Sequence, residues 1–395
     1  VTQTPSSIRR LIERHIRLLS FAFATAMAVF VAVVVVASPS VAVASLQTMA
    51  TTSSPSAMPA HVFEWQGPWF EGWYTRVIDA DHGVSIATIT TSAIGEGQTL
   101  GRSKSPPGYA AIVIADGSFT KSFEAFPQAT RIGNTVVEKT GLDYFWNAEG
   151  LGSSSSVQTD LKIDDAHVKL NIESRVSWSP IDHIAGPEGS LQGLPLPLHW
   201  FVHNTRGRAS YSVDYLQNGR HRHISGVGLV HQEKNWGQVF PKSWVWMQGA
   251  NDRASISLAG GDVEIGPITA HSYFVGYRSE KVFADFNLGQ GLLTTFKDKV
   301  DWCTRTVKMI AYSGQYKLEM KASAEPESFV SLSIPTAAGY QPRGAFESFH
   351  TRIQTRVYKI NGFVLAPDYT LLESESFDQG ALEFGANASI CRAAR

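Results

Sequence analysis

The densest run of reactive side chains in the chain is His231-Gln-Glu-Lys-Asn-Trp-Gly-Gln-Val-Phe-Pro-Lys-Ser-Trp-Val-Trp-Met-Gln248. Read as two strands around a turn at Gly237–Pro241, it puts Val227, Leu229, His231 and Glu233 on one face of the first strand. Trp244, Trp246 and Gln248 share one face of the second. If those faces meet, a histidine, a glutamate, two tryptophans and a glutamine converge. A purely structural strand has no need of His231, Glu233, Lys234 and Asn235 within five residues, because a buried polar group left unpaired costs about 1–3 kcal/mol. The clustering predicts either a site or a salt-bridged network, Glu233 with Lys234 or an arginine, that clamps two domains. Three weaker candidates follow. In Trp69-Phe-Glu-Gly-Trp-Tyr74, Glu71 and Trp73 share a strand face, a carboxylate among aromatics where Glu is depleted; a core aromatic cluster reads equally well. His199, Phe201 and His203 project together, but two histidines hold a metal only with a third ligand, and no metal is assigned. Asp285, in Phe283-Ala-Asp-Phe286, is a further acid between aromatics.

The elements that must position these groups are strands. Val84–Ile94 mixes β-branched and small residues without helix signals. Strand pairs flank turn dipeptides at Asp116-Gly117, Asn218-Gly219, Gly260-Gly261, Ser313-Gly314 and Asn361-Gly362. Val168–Val176, Thr306–Tyr312, Tyr316–Ala322, Ile353–Tyr358 and Leu371–Ser376 add further strands. Many hairpins at short spacing, with almost no amphipathic helix, predict an all-β protein of antiparallel barrels or sandwiches. A sheet system this long exceeds one ordinary core, so two domains are expected, 61–250 and 251–391, joined near Gly249–Arg253. The stretches 95–108, 147–156 and 179–197 read as loops.

With 43% hydrophobic and 17% charged residues the chain is globular. A net charge of −1 offers no basic field for nucleic acid. Two cysteines, Cys303 and Cys391, exclude a disulfide scaffold or a cysteine zinc cluster. Arg9, Arg10, Arg14 and Arg17 precede an apolar run from Leu18 to Ala37 and small residues ending Ala42-Val-Ala44, which predicts a targeting leader over 1–44. Residues 45–60 read as a linker, and Asn387-Ala-Ser389 is a single sequon.

Three segments together resemble the tocopherol cyclase family. They are Glu233-Lys-Asn-Trp-Gly followed by Phe240-Pro, Trp244-Val-Trp246 and Gln248; Phe70-Glu-Gly-Trp-Tyr74; and Ala381-Leu-Glu-Phe-Gly385 after Arg356-Val-Tyr358 and Asn361-Gly362. The chain departs from the plant pattern at Thr75-Arg76, in the loops 95–108 and 179–198, and at Leu198–His203, which is closer to microbial members. The resemblance implies two lipocalin-like β domains and acid-catalysed closure of a chromanol ring on a prenylated hydroquinone, without cofactor or metal.

That chemistry protonates a trisubstituted alkene, so the acid must stay protonated near neutral pH, as burial in apolar surroundings makes it do. Glu233 is the first candidate, Glu71 the second and Asp285 the third. Trp73, Trp244, Trp246 and Trp236 would face the cation, each worth about 2 kcal/mol or more when desolvated. His231 or Asn235 would orient the phenol and take its proton, Gln248 would hold a ring hydroxyl, and His199 and His203 would line the substrate pocket. The expectation is one cavity containing Glu71, Trp73, His231, Glu233, Trp244 and Trp246. A carrier of a hydrophobic ligand, or a hydratase that admits water to the same cation, uses much of the same wall. The expected partner is a hydrophobic small molecule, with no nucleic acid. Peripheral contact with an organellar, plastid-like membrane is also expected; entry to the secretory pathway is the alternative reading of the leader.

Overall fold

The protein is described by a computed structural model over residues 59–385, apart from 62–65, 101–104, 138–140, 181–185, 195, 266–267, 288–293 and 364–365. The leader over 1–44, the linker up to 58 and the sequon lie outside the described residues. The linker's last residues do not behave as a linker: Ala60 is buried in the first core and its N–H donates to Asn134 Oδ1 at 2.6 Å.

Alternation of apolar and polar residues yields two antiparallel sheets. The first contains β1 (Trp69–Asp79), β2 (Val84–Ile94), β3 (Gly108–Asp116), β4 (Phe119–Ala125), β5 (Arg131–Val137), β6 (Gly141–Ala148), β7 (Gly152–Ser155), β8 (Gln158–Ile163), β9 (Ala166–Ile172), β10 (Leu198–Gln217) and β11 (Arg220–Gly237). Its spatial order is β4-β3-β2-β1-β11-β10-β9-β8-β7-β6-β5. The second contains β12 (Ser243–Ala250), β13 (Ala254–Ile265), β14 (Ile268–Ser279), β15 (Phe283–Phe286), β16 (Thr295–Asp301), β17 (Thr306–Tyr312), β18 (Tyr316–Ser323), β19 (Val330–Thr336), β20 (Gly339–Phe363) and β21 (Ala366–Gly385). Its order is β15-β14-β13-β12-β21-β20-β18-β17-β16, with β19 on β20. No α-helix occurs among the described residues, only 3-10 turns at Gly189–Gly193 and Pro326–Ser328. In both sheets the first strand pairs with the last, and each curls about its own interior, the first around Trp73, Trp146 and Val213, the second around Met247, Tyr277 and Met320. A third apolar layer, with Trp200, Trp244, Trp246 and Phe349, lies where the outer faces of the two sheets pack. Each large side chain buried there stabilises that contact by roughly 1.5–3 kcal/mol.

The turn at Asn218-Gly219 forms with both residues at positive φ, 51° and 76°, the geometry that tightens β10 onto β11. Two expected turns lie instead inside strands. Asn361 pairs with Asp368 in the ladder, so β20 runs on to Phe363. Gly260 and Gly261 sit within β13, where a Cβ on Gly261 would fall 2.3 Å from the Ser243 carbonyl oxygen and 2.9 Å from the Trp244 Cα. That glycine, at φ +151°, makes room for the tryptophan strand beside it. The chain changes sheet at 238–242, ahead of Trp244, rather than at Gly249–Arg253, because Trp244 and Trp246 pair with β13 and β21.

Candidate functional site

The register of β1 against β11 sorts the candidate residues. Tyr74 faces Glu233 and Arg76 faces His231, while Trp73 faces Lys234 and Glu71 faces Trp236. Directly opposed residues share a face, so Glu71 and Glu233 point to opposite sides of the first sheet. The expected single cavity is therefore two separate groups.

One group lies inside the first sheet. Lys234 Nζ is 2.8 Å from Glu71 Oε1, and both side chains are buried. The Lys234 ammonium also donates to the Pro59 carbonyl at 2.5 Å, and the His61 backbone N–H donates to both Glu71 oxygens. Trp236 is stacked between the rings of His61 and His199, at 4.3 and 4.8 Å. His199 Nδ1 pairs with Glu188 Oε2 at 2.8 Å, and Trp73 stacks on Tyr144 at 4.3 Å. Burial alone would raise the Glu71 carboxyl, but the adjacent Lys234 and His61 outweigh it and hold it below its ordinary value. Glu71 is thus an ionised partner, which removes it from the role of protonated donor. Burial, with the charges of Arg175 and Lys234, pushes the His203 imidazole well down, so it is neutral. His199 and His203 belong to this interior and not to the Trp244–Trp246 face.

The second group lies between the sheets. Glu233 Oε2 meets His231 Nε2 at 2.8 Å and accepts from Trp246 Nε1 at 3.0 Å. Arg76 donates to Gln248 Oε1 at 2.6 Å and to the Gln379 carbonyl at 2.7 Å. Tyr74 Oη donates to Glu347 Oε1 at 2.7 Å, and its ring packs edge-on against Trp246 at 5.1 Å. Trp244 Nε1 donates to Glu383 Oε1 at 2.7 Å. The faces carrying Glu233 and Trp246 do meet, but through sheet packing, since β11 and β12 lie in different sheets. Glu233 is a clamp in the literal sense, although its partner is Trp246 and not Lys234, which points the other way. Gln248 is engaged by Arg76 rather than presented alone. Asn235 sits on this same face, between Gly72 and Trp200 in the ladder.

Two acids in this group stand outside the candidate set. Glu347 and Glu383 are direct ladder partners on β20 and β21, the first buried and the second half-buried, with Trp246 opposed to Glu383 on the far side. Opposed Cβ atoms in such a pair lie about 4.5–5.5 Å apart, too close for two buried negative charges. Burial pushes Glu347 well above the ordinary carboxylate range, and the charges of Glu383 and Glu233 add to it against the opposing Tyr74 hydrogen bond and Arg76. Burial likewise raises Glu383 to about 7, with Glu233 adding and the Trp244 hydrogen bond opposing. Glu347 Oε2 is buried without a hydrogen-bond partner among the described residues. The signal was present in the sequence: Phe346-Glu-Ser-Phe349 and Leu382-Glu-Phe384 flank a carboxylate with apolar residues as Phe70-Glu-Gly-Trp73 does. Asp285 is no third candidate for this group. It is ion-paired to Arg278, whose guanidinium lies 3.8 Å over the Phe283 ring, on the edge strand β15, three strands beyond β12.

The sequence model of the tocopherol cyclase-like family matches residues 67–386, and the chain belongs to that family. Among solved structures, CghA with Sch210972 superposes with a TM-score of 0.53 at 10% identity, covering 84% of this chain and 95% of that one. CghA alone gives 0.52 at 9% identity, covering 85% and 95%. Those likenesses support the lipocalin-like fold. No curated protein matches the chain.

Proposed function

We propose that the chain is an enzyme of cyclase type that closes a ring by acid–base catalysis on an apolar substrate of the prenylated hydroquinone class, with the Glu347–Glu383 pair as its chemical centre. The observation that carries this reading is the pair itself, two ladder-opposed carboxyls, Glu347 buried and Glu383 half-buried beside Trp244 and Trp246. Environments that push two acids apart assign their roles. Glu347, whose burial favours the protonated carboxyl, donates its proton to the less substituted alkene carbon: a C–H bond forms, the carboxyl O–H breaks, and a tertiary cation results. The rings of Trp244, Trp246 and Tyr74 face that cation, and tryptophan faces attract it by about 2 kcal/mol or more in a dry site. The phenol oxygen then forms the C–O bond, and ionised Glu383 takes the phenol proton. Passing that proton back to Glu347 restores the starting state, so the product has the substrate's mass. Glu233 and His231 serve here as positioning residues that fix the Trp246 ring.

The test is incubation of the purified chain with a panel of prenyl hydroquinones and apolar alkenes, followed by chromatography and mass measurement. Cyclisation keeps the mass and shifts retention. Glu347→Gln should lower turnover by about 10²–10⁴-fold while ligand quenching of tryptophan fluorescence stays near wild type. A product heavier by one water would make the chain a hydratase, and binding without any product would make it a carrier.

A further inference from the structure

The outer face of the second sheet carries a groove of about 740 Å³ that crosses β16, β17, β18, β20 and β21. The ladder register gives it two walls. Lys299, Lys308 and Lys321 oppose one another directly and form one; Lys297, Glu319 and Arg356 stand in the other. Neighbouring strands lie about 4.8 Å apart, and like charges directly opposed destabilise a sheet. Lys297, Lys299, Lys308, Lys321 and Arg356 are all exposed. Glu319 attracts Arg356 across the ladder and Asp301 attracts Lys299, while Lys308 stands between Lys299 and Lys321. The three acids along the groove are already engaged: Glu319 with Lys317 at 2.6 Å and Tyr358 at 3.1 Å, Glu375 with Arg253 at 2.8 Å, and Asp298 with Tyr273 at 3.0 Å and His271 at 3.3 Å. The chain as a whole has a net charge of −1, so this face concentrates cations that the rest of the molecule offsets.

The same face continues into apolar residues. Lys317 is opposed to Tyr358, and Tyr358 to Leu371. Lys317 Nζ lies 4.7 Å over the Tyr369 ring. Leu371 is 52% exposed, and Tyr369 and Leu372 are each 37% exposed. A soluble polyanion would use the lysines and leave the leucines without purpose. Cations beside protruding leucine and tyrosine are what an interface of phosphate headgroups over acyl chains requires. We propose that this face docks the protein on an anionic lipid surface, independently of the chemistry assigned to Glu347 and Glu383.

The experiment is co-sedimentation of the full chain with vesicles of phosphatidylcholine, alone or mixed with phosphatidylglycerol. Binding to the mixed vesicles that weakens with salt is expected. Replacing Lys299, Lys308 and Lys321 together by Gln should lower the partition coefficient by about 100-fold. Leu371→Ser with Leu372→Ser should lower it further, and neither change should lower the melting temperature, since the side chains are exposed and the lysine repulsion is relieved. Equal binding to both vesicle types, or no loss in the lysine variant, would overturn the proposal. Lysine-dependent binding of inorganic polyphosphate with no vesicle binding would also overturn it, and would mark a soluble-anion site.

Discussion

The two sheets repeat one strand order around unlike interiors. Aligning the Phe70–Gly237 ladder pair with Trp244–Gly385 places Glu71 opposite Val245, Trp73 opposite Met247, Lys234 opposite Leu382 and Trp236 opposite Phe384. One interior holds a buried ion pair and its histidines; the other fills the same positions with apolar side chains. The fold therefore does not demand Glu71 and Lys234. Removing two charges from water costs several kcal/mol per ion before their attraction is counted, and an apolar pair of similar volume often does as well or better. The polar set belongs to what the first interior holds in place: the segment 59–61, which lends a carbonyl to Lys234 and an N–H to Glu71.

The sharpest break of this comparison is Lys234→Met. It leaves the Glu71 carboxylate buried beside only His61, and urea unfolding should show a loss of about 3–5 kcal/mol. Converting both residues to the second sheet's solution, Glu71→Val with Lys234→Leu, should recover most of it. A double variant no better than the single would mean that the two interiors are not interchangeable.

Next in size is an opposite response to pH. Glu71 is held below its ordinary value, so the stability it contributes is present above that value and lost as pH falls through the depressed one. Glu383 is raised from 4.5 to about 7, so the folded state keeps its proton longer than the unfolded chain. Its contribution is complete below about 4.5 and disappears as pH rises through about 7. Melting temperature against pH should show both limbs. Glu383→Gln should shrink the alkaline limb to the part that Glu347 contributes and leave the acid limb; the converse outcome would exchange the assignments. In turnover, the Glu383 limb should rise through about 7 as the base forms, and loss of the Glu347 proton should end activity on the alkaline side. A profile flat across neutral pH would contradict the acid–base pair.

The smallest effect is His61→Ala. It deletes the stack on Trp236 and one side-chain contact to Glu71 while the backbone donor remains, so about 1–2 kcal/mol is expected from calorimetry or urea melts. No change would show that the strap is held by Ala60 and the Pro59 carbonyl alone.

Most of the strands, and the face each side chain takes, were legible because alternation has a period of two. Glu71 with Trp73, His231 with Glu233, and Trp244 with Trp246 and Gln248 all share faces as read. Which face of one strand meets which face of another is set by register, and one residue of offset separates Glu233 from Lys234. That offset split the expected cavity in two. The apolar flanks of Glu347 and Glu383 are in the sequence, but their pairing is not, because the two stand 36 residues apart across a long hairpin and only the ladder brings them together. The turns expected at Gly260-Gly261 and Asn361-Gly362 failed for a similar reason: a glycine needed for close packing, or simply tolerated, looks the same as one needed for chain reversal.

The chain passes between the sheets once, at 238–242, and each sheet closes its first strand on its last. Each sheet thus carries its own core, and the seam between their outer faces is a third place whose side chains hold neither core. A substitution at the seam can change what happens there while both interiors keep their packing.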